Sequence, residues 1–118
     1  METTLEINDQ DYHVYYDSTI ATIYCEGTLR LIGSDAYVPL MELFNQVIAL
    51  ELPLITLNIQ SLKSLNSSGV TMLARFVIKV SKAEKSQLTI LGSKKTPWQG
   101  KSLANLKRLM PNLQLKIE

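Results

Sequence analysis

Residues 54–77 carry a strand signal followed closely by a helix signal, and this order constrains the fold more than any other feature. Residues 54–59 form a short, almost continuously apolar run, which is typical of a central strand covered on both faces. After a polar loop over residues 60–65, apolar side chains recur at helical spacing from Val70 to Val80. A strand, a helix and a further strand in succession predict a parallel crossover, so we expect an α/β protein.

The first third of the chain predicts a β-hairpin. Residues 12–16 alternate in polarity and residues 20–25 are rich in β-branched and aromatic side chains, with a turn signal between them. Residues 28–31 extend the second strand beyond a bulge at Gly27. The predicted sheet is therefore mixed, with an antiparallel opening and parallel strands after it.

The remaining elements alternate between helix and strand. A helix is predicted over residues 35–50, with Ser34 or Asp35 as its cap, and another begins at Thr96-Pro97. Short strands are predicted over residues 88–91 and 113–117, the last at an edge of the sheet. No linker divides the chain, so residues 1–118 are expected to form one domain.

Charge and cysteine content exclude several classes of protein. The formal net charge is +1, with no basic face for nucleic acid and no polybasic run for a membrane surface. A single cysteine cannot form an internal disulfide, and the first residues do not read as a signal peptide. We therefore expect a cytoplasmic protein that binds neither nucleic acid nor membrane.

The sequence offers little material for catalysis. His13 is the only histidine and Cys25 the only cysteine, which makes a Ser-His-Asp triad or a zinc site improbable. The glycine-rich patterns of nucleotide-binding loops are absent. His13 is expected to be a half-exposed strand residue, and Cys25 a small buried hydrophobe. We expect a protein that is not an enzyme and that has no cofactor and no metal.

The segment LITLNIQSLKSLNSSGVTMLARFV resembles the STAS domain, the family of bacterial anti-sigma-factor antagonists. In that family a buried strand runs into a loop that ends in Asp-Ser-Ser-Gly, and a hydrophobic helix follows. The order of elements resembles the family over the whole chain, and it also resembles a group of cyanobacterial STAS-like regulators. The resemblance implies an α/β fold with a mixed sheet of about five strands, an opening hairpin and three main helices.

The resemblance also implies a regulatory interaction. In switching members of the family, an anti-sigma factor that is also a serine kinase phosphorylates the first serine of the motif, which releases it from the partner. That serine corresponds to Ser67 here, with Ser68 as the second choice of acceptor, and a PP2C-type phosphatase is a further candidate partner. The residues implied in partner binding are Ser64, Asn66, Ser67, Ser68, Gly69, Thr71, Arg75 and Trp98.

Alternatives remain open at this point. Asn66 stands where the family usually has Asp, and as a simple N-cap it would tolerate Asp without loss of stability. Trp98 is either packed against the last strand or an exposed anchor for a partner. A STAS-type scaffold or sensor that is not phosphorylated is the second functional hypothesis, and an enzyme of unknown class is the third. The sequence leaves the oligomeric state open.

Overall fold

The structure is a computed structural model that describes residues 5–118, and it confirms the α/β fold class. Residues 5–118 contain three α-helices: α1 Val38–Ala49, α2 Ser67–Ala83 and α3 Pro97–Leu109. The strands are β1 Glu6–Asn8, β2 Tyr12–Asp17, β3 Thr22–Leu29, β4 Leu54–Asn58, β5 Leu62–Leu65, β6 Gln87–Gly92 and β7 Gln114–Ile117. The sequence predicted neither β1, which has three residues, nor β5, which lies in the segment interpreted as a polar loop.

All seven strands belong to one mixed sheet in the order β1-β2-β3-β4-β6-β7, with β5 paired to β3. The pairs β1–β2 and β2–β3 are antiparallel, which confirms the opening hairpin. The pairs β3–β4, β4–β6 and β6–β7 are parallel, as the alternation of strands and helices predicts. The last strand, β7, lies at the edge of the sheet, as predicted.

The apolar strand side chains are buried mainly on one face of the sheet. Ile23, Leu57 and Ile90 are register partners on neighbouring strands and are all fully buried. They belong to a single core cluster with the buried side chains of the three helices. On the opposite face Tyr24 and Asn58 are only half-buried, while Leu54 is 48% exposed. The prediction that residues 54–59 are covered on both faces was therefore wrong.

The start of α1 also differs from the prediction. A one-turn 3₁₀ helix, Ser34–Tyr37, precedes α1, and neither element has a side-chain hydrogen bond at its cap. Ser34 and Asp35 therefore do not cap this helix, contrary to the sequence prediction. Pro39 fits because it occupies one of the first two positions of α1, where a missing N–H is tolerated. This turn matters because it brings Tyr37, 1% exposed, into the core beside the start of α2.

Strands β4 and β5 act as one strand that is interrupted at residues 59–61. The first residues of β3 pair with β4, and its last residues pair with β5 after a register shift at Gly27. The buried side chain of Gln99, from the first turn of α3, fills the interruption. Its Nε2 donates to the carbonyl oxygens of Ile59 (2.8 Å) and Leu62 (3.1 Å), and its Oε1 accepts from Ser93 N (2.8 Å). One amide therefore fixes the position of β5, and with it the residues that follow.

We expect Gln99→Glu to lower the free energy of unfolding by about 3 kcal/mol or more, because a buried carboxylate cannot donate to two carbonyl oxygens. Gln114→Glu, an exposed position on β7, is the control and should change stability by less than about 0.5 kcal/mol. Urea unfolding monitored by circular dichroism measures both. Equal effects at the two positions would show that the Gln99 amide does not hold the interrupted strand.

Candidate functional site

Asn66 lies between the end of β5 and the first residue of α2, and it caps the helix. Its backbone is extended, with φ −84° and ψ 177°, and its side-chain Oδ1 accepts a hydrogen bond from Gly69 N at 3.0 Å. The backbone N–H of Asn66 donates to Leu29 O at 3.1 Å, which ties the cap to the end of β3. The local prediction of an N-cap at this residue is confirmed.

The Asn66 side chain does more than cap the helix. Its Oδ1 lies 2.7 Å from the Tyr37 hydroxyl, and its Nδ2 donates to Leu31 O at 2.7 Å. The same hydroxyl accepts from Leu31 N (3.3 Å) and lies 3.1 Å from Leu29 O, so its single proton serves one of two acceptors at a time. Burial raises the pKa of Tyr37, which keeps this hydroxyl protonated. We call Leu31, Tyr37, Asn66 and Gly69 the cap network.

The cap network distinguishes Asn from Asp at position 66. Asn supplies an acceptor for Gly69 N and a donor for Leu31 O, whereas an ionised Asp has acceptors only. An Asp would place a carboxylate oxygen against the Leu31 carbonyl oxygen. These hydrogen bonds therefore favour Asn over Asp at position 66, in contrast to the sequence expectation that a simple N-cap would tolerate Asp.

We expect Asn66→Asp to lower the free energy of unfolding by about 1–3 kcal/mol at neutral pH, because the half-buried Leu31 carbonyl loses its donor and faces a carboxylate. Only the protonated carboxyl could donate to Leu31 O. This interaction raises the pKa of the introduced carboxyl in the folded state, so the stability it contributes is present at low pH and lost as the pH rises. The difference in stability between Asn66→Asp and wild type should therefore become smaller as the pH falls toward about 4. Thermal denaturation at several pH values tests this.

Asn58 provides the matched control for this substitution. It is half-buried, and its side-chain Oδ1 accepts a hydrogen bond from Gln60 N at 2.9 Å. Asn58→Asp keeps that acceptor, so its melting temperature should stay close to that of wild type. A near-neutral Asn66→Asp would contradict the donor role of the Asn66 amide.

Gly69 is buried where α2 packs against the strand that precedes it. A Cβ added at Gly69 would lie 2.3 Å from Leu65 Cδ1 and 2.8 Å from the Tyr37 hydroxyl oxygen. A side chain would therefore push the helix start away from the cap network. Gly69 therefore has a packing role within the fold, and its contact with a partner stays a prediction.

We expect Gly69→Ala and Gly100→Ala to change stability in opposite directions. Gly69→Ala should destabilise by about 1–3 kcal/mol because of overpacking, despite the better helix propensity of Ala. Gly100 lies in α3 with open space around it, so Ala there should stabilise by about 0.5–1 kcal/mol. Thermal denaturation of the two variants tests this, and stabilisation by both would refute the close packing at Gly69.

The two serines of the motif lie in different environments. Ser67 is exposed at the first position of α2, and its carbonyl oxygen accepts from the Thr71 hydroxyl at 3.1 Å. Ser68 is half-buried and lines a pocket of about 270 Å³ with Thr71 and Arg75. Thr71 and Arg75 are exposed, so the structure brings three of the eight predicted contact residues, Ser68, Thr71 and Arg75, together around this pocket.

Trp98 and Ser64 flank the site on its other side. Trp98 is half-buried, and its Nε1 donates to Lys63 O in β5 at 3.1 Å. Its indole is tied to β5 and packs against the core, so Trp98 is neither fully buried nor a free anchor. Ser64 is half-buried and accepts a hydrogen bond from Arg30 Nη1 at 3.0 Å.

The residues considered for catalysis lie elsewhere. The His13 side chain is 33% exposed and lies on the uncovered face of the sheet, with its Nε2 2.5 Å from Glu6 Oε2 and its Nδ1 3.8 Å from Glu26 Oε1. Cys25 is fully buried, and burial raises its pKa to about 12, so the thiol is inert at neutral pH. Within residues 5–118 no cluster of His, Cys, Asp or Glu has the form of a metal site.

Comparison with solved structures identifies the fold. Apo-SiaC from Pseudomonas aeruginosa superposes with a TM-score of 0.76 and 10% identity, covering 99% of this chain and 99% of that chain. A chain from the complex of the diguanylate cyclase SiaD with its activator SiaC, from the same organism, gives 0.71 and 10%, covering 96% and 98%. An anti-sigma factor antagonist from Mycobacterium paratuberculosis gives 0.60 and 17%, covering 95% and 84%.

The chain has a STAS-like fold. No family model matches the sequence, and no curated protein sequence matches it significantly. The identities of 10–17% show the fold alone, which agrees with the fold that the motif implied. None of the helices in residues 5–118 has both the length and the apolar character needed to cross a membrane.

Proposed function

We propose that this STAS-like domain is a regulatory interaction module without catalytic activity, which docks a protein partner through the start of α2. The observation that carries the proposal is the exposed Ser67 at the first position of α2, held in place by the cap network beneath it. The fold neighbours support it, since SiaC is an activator of a diguanylate cyclase and another neighbour is an anti-sigma factor antagonist.

We further propose that phosphorylation of Ser67 switches the interaction. The first backbone N–H groups of α2 lack intrahelical partners, and the positive end of the helix dipole favours an anion there. The first turn of α2 contains no acidic residue that would oppose a phosphate. A phosphate would add about −1.5 to −2 charges to the surface that contacts the partner, which can break a complex. A kinase that uses ATP requires the cytoplasmic location that the sequence predicts.

One observation favours the alternative of a scaffold or sensor that is not phosphorylated. Both polar groups of the Asn66 side chain are engaged within the fold, to Gly69, Tyr37 and Leu31. A kinase that reads a carboxylate beside its target serine would find neither the charge nor a free polar group at this position. The two hypotheses differ only in whether Ser67 accepts a phosphate.

Incubation with an anti-sigma-factor serine kinase and ATP, followed by intact-protein mass measurement, tests the switch. We expect the wild-type chain to gain one phosphate, Ser67→Ala to gain none and Ser68→Ala, the matched control, to be modified like wild type. Ser68 is half-buried against the pocket, whereas Ser67 is exposed, so the kinase should select Ser67. Modification of Ser67→Ala would refute the assignment, and an unmodified wild-type chain would favour the scaffold hypothesis.

A further inference from the structure

Ile32 is the most exposed large apolar side chain among the described residues, with 94% of its surface accessible. It lies between β3 and the one-turn 3₁₀ helix, beside the cap network. A side chain this exposed contributes almost nothing to the hydrophobic stability of the fold. Isolated exposed hydrophobic residues are common, so the argument depends on what surrounds Ile32.

The backbone on both sides of Ile32 is held in place. Leu31 N donates to the Tyr37 hydroxyl and Leu31 O accepts from Asn66 Nδ2, so both of its polar groups are bound. Gly33 has a positive φ of 84°, and the 3₁₀ helix begins at the next residue. Ile32 is therefore presented from a fixed backbone, which lowers the entropy lost when a partner immobilises it.

A pocket of about 270 Å³ lies next to this loop, between the 3₁₀ helix, α1 and the first three turns of α2. Its apolar lining comes from Tyr37, Met41 and Met72, and its polar lining includes the hydroxyls of Ser68 and Thr71. Methionine side chains adapt to different apolar occupants. The combination of an apolar interior and a few hydroxyls suits the side chain of a docked protein segment.

Among the residues that line the pocket, Arg75 is the one that carries a charge. It is exposed and makes no ion pair within residues 5–118. Arg30 donates to the neutral Ser64 hydroxyl, and Asp35, in the 3₁₀ helix, forms no ion pair with either arginine. An arginine at the edge of an apolar pocket is complementary to a carboxylate on the molecule that fills the pocket.

We infer that Ile32, this pocket and Arg75 form one docking surface for an acidic, amphipathic segment of a protein partner. The segment places a large apolar side chain in the pocket and a carboxylate on Arg75, and it receives Ile32 in an apolar recess. This inference rests on the proposed function, and it adds the chemistry of the partner. It also accounts for the direction of the switch, since a phosphate on Ser67 would repel an acidic segment.

Selection of a random dodecapeptide library, displayed on phage, against the full chain tests the inference. We expect the selected peptides to combine a large apolar residue with at least one carboxylate, and their binding to weaken as the salt concentration rises. Synthetic versions should lose affinity about tenfold or more for Ile32→Ser and for Arg75→Glu. Replacing the peptide carboxylate by Lys should restore affinity for Arg75→Glu, which a merely structural effect of that substitution would not allow.

Matched controls distinguish binding at this surface from non-specific hydrophobic binding and from a general effect of charge. Ile20 is 55% exposed in the turn before β3, at the opposite end of that strand from Ile32, so Ile20→Ser should leave affinity unchanged. Arg108, exposed in the last turn of α3, provides the charge control as Arg108→Glu. Basic selected peptides, or binding that Ile20→Ser reduces as much as Ile32→Ser, would overturn the inference.

The same peptides distinguish failure of this inference from failure of the proposed function. Peptides sensitive to Ser67→Asp but not to Ile32→Ser or Arg75→Glu would support docking at the helix start and refute this surface. Peptides sensitive to Ile32→Ser and Arg75→Glu but not to Ser67→Asp would support the surface and refute the switch. Sedimentation measures whether the wild-type chain associates with itself. Self-association that Ile32→Ser abolishes would assign the surface to a second copy of the chain and overturn the inference of an acidic partner.

Discussion

The hydrogen bond from the Asn66 amide to Leu31 O is the interaction on which the site depends. It joins the start of α2 to the loop after β3, while the carbonyl oxygen of the same side chain holds Gly69 N and the Tyr37 hydroxyl. These contacts connect segments that are 29 and 35 residues apart in sequence. A helix start is usually free to fray, but this one is fixed to the sheet and to the turn before α1. The exposed Ser67 therefore has a defined position and direction.

The sequence predicts well those features that short-range physics determines. Alternating polarity gives the β2–β3 hairpin, Asn66 is recognisable as a cap, and Pro97 correctly marks the first position of α3. The same reasoning fails where a residue acts across the fold. Tyr37 belongs to a helical apolar pattern, and nothing near it in sequence indicates that its hydroxyl meets Asn66. The motif resemblance indicates the start of α2 as the candidate site. Only the packing shows that Asn66 and Gly69 have structural roles there.

Gln99 illustrates the same limit in the core. In sequence it is one polar residue near the start of a helix, and solvent exposure would be the ordinary expectation. In the structure it is fully buried and bonds the carbonyl oxygens of Ile59 and Leu62, which lie 40 and 37 residues away. The interruption between β4 and β5 could not be predicted without this partner, because unpaired carbonyl groups there would be costly. The position of the docking surface thus depends on α3 although α3 does not line it.

The fixed backbone of the Ile32 loop couples occupancy of the surface to global stability. Both polar groups of Leu31 are bound only while the cap network is intact, so the loop cannot open without losing the helix cap. A ligand that recognises the loop in this conformation binds the folded chain and not the unfolded one. By mass action, each tenfold rise of the free ligand concentration above its dissociation constant adds about 1.4 kcal/mol to the free energy of unfolding. The melting temperature of the domain therefore rises with the free concentration of such a ligand relative to its dissociation constant.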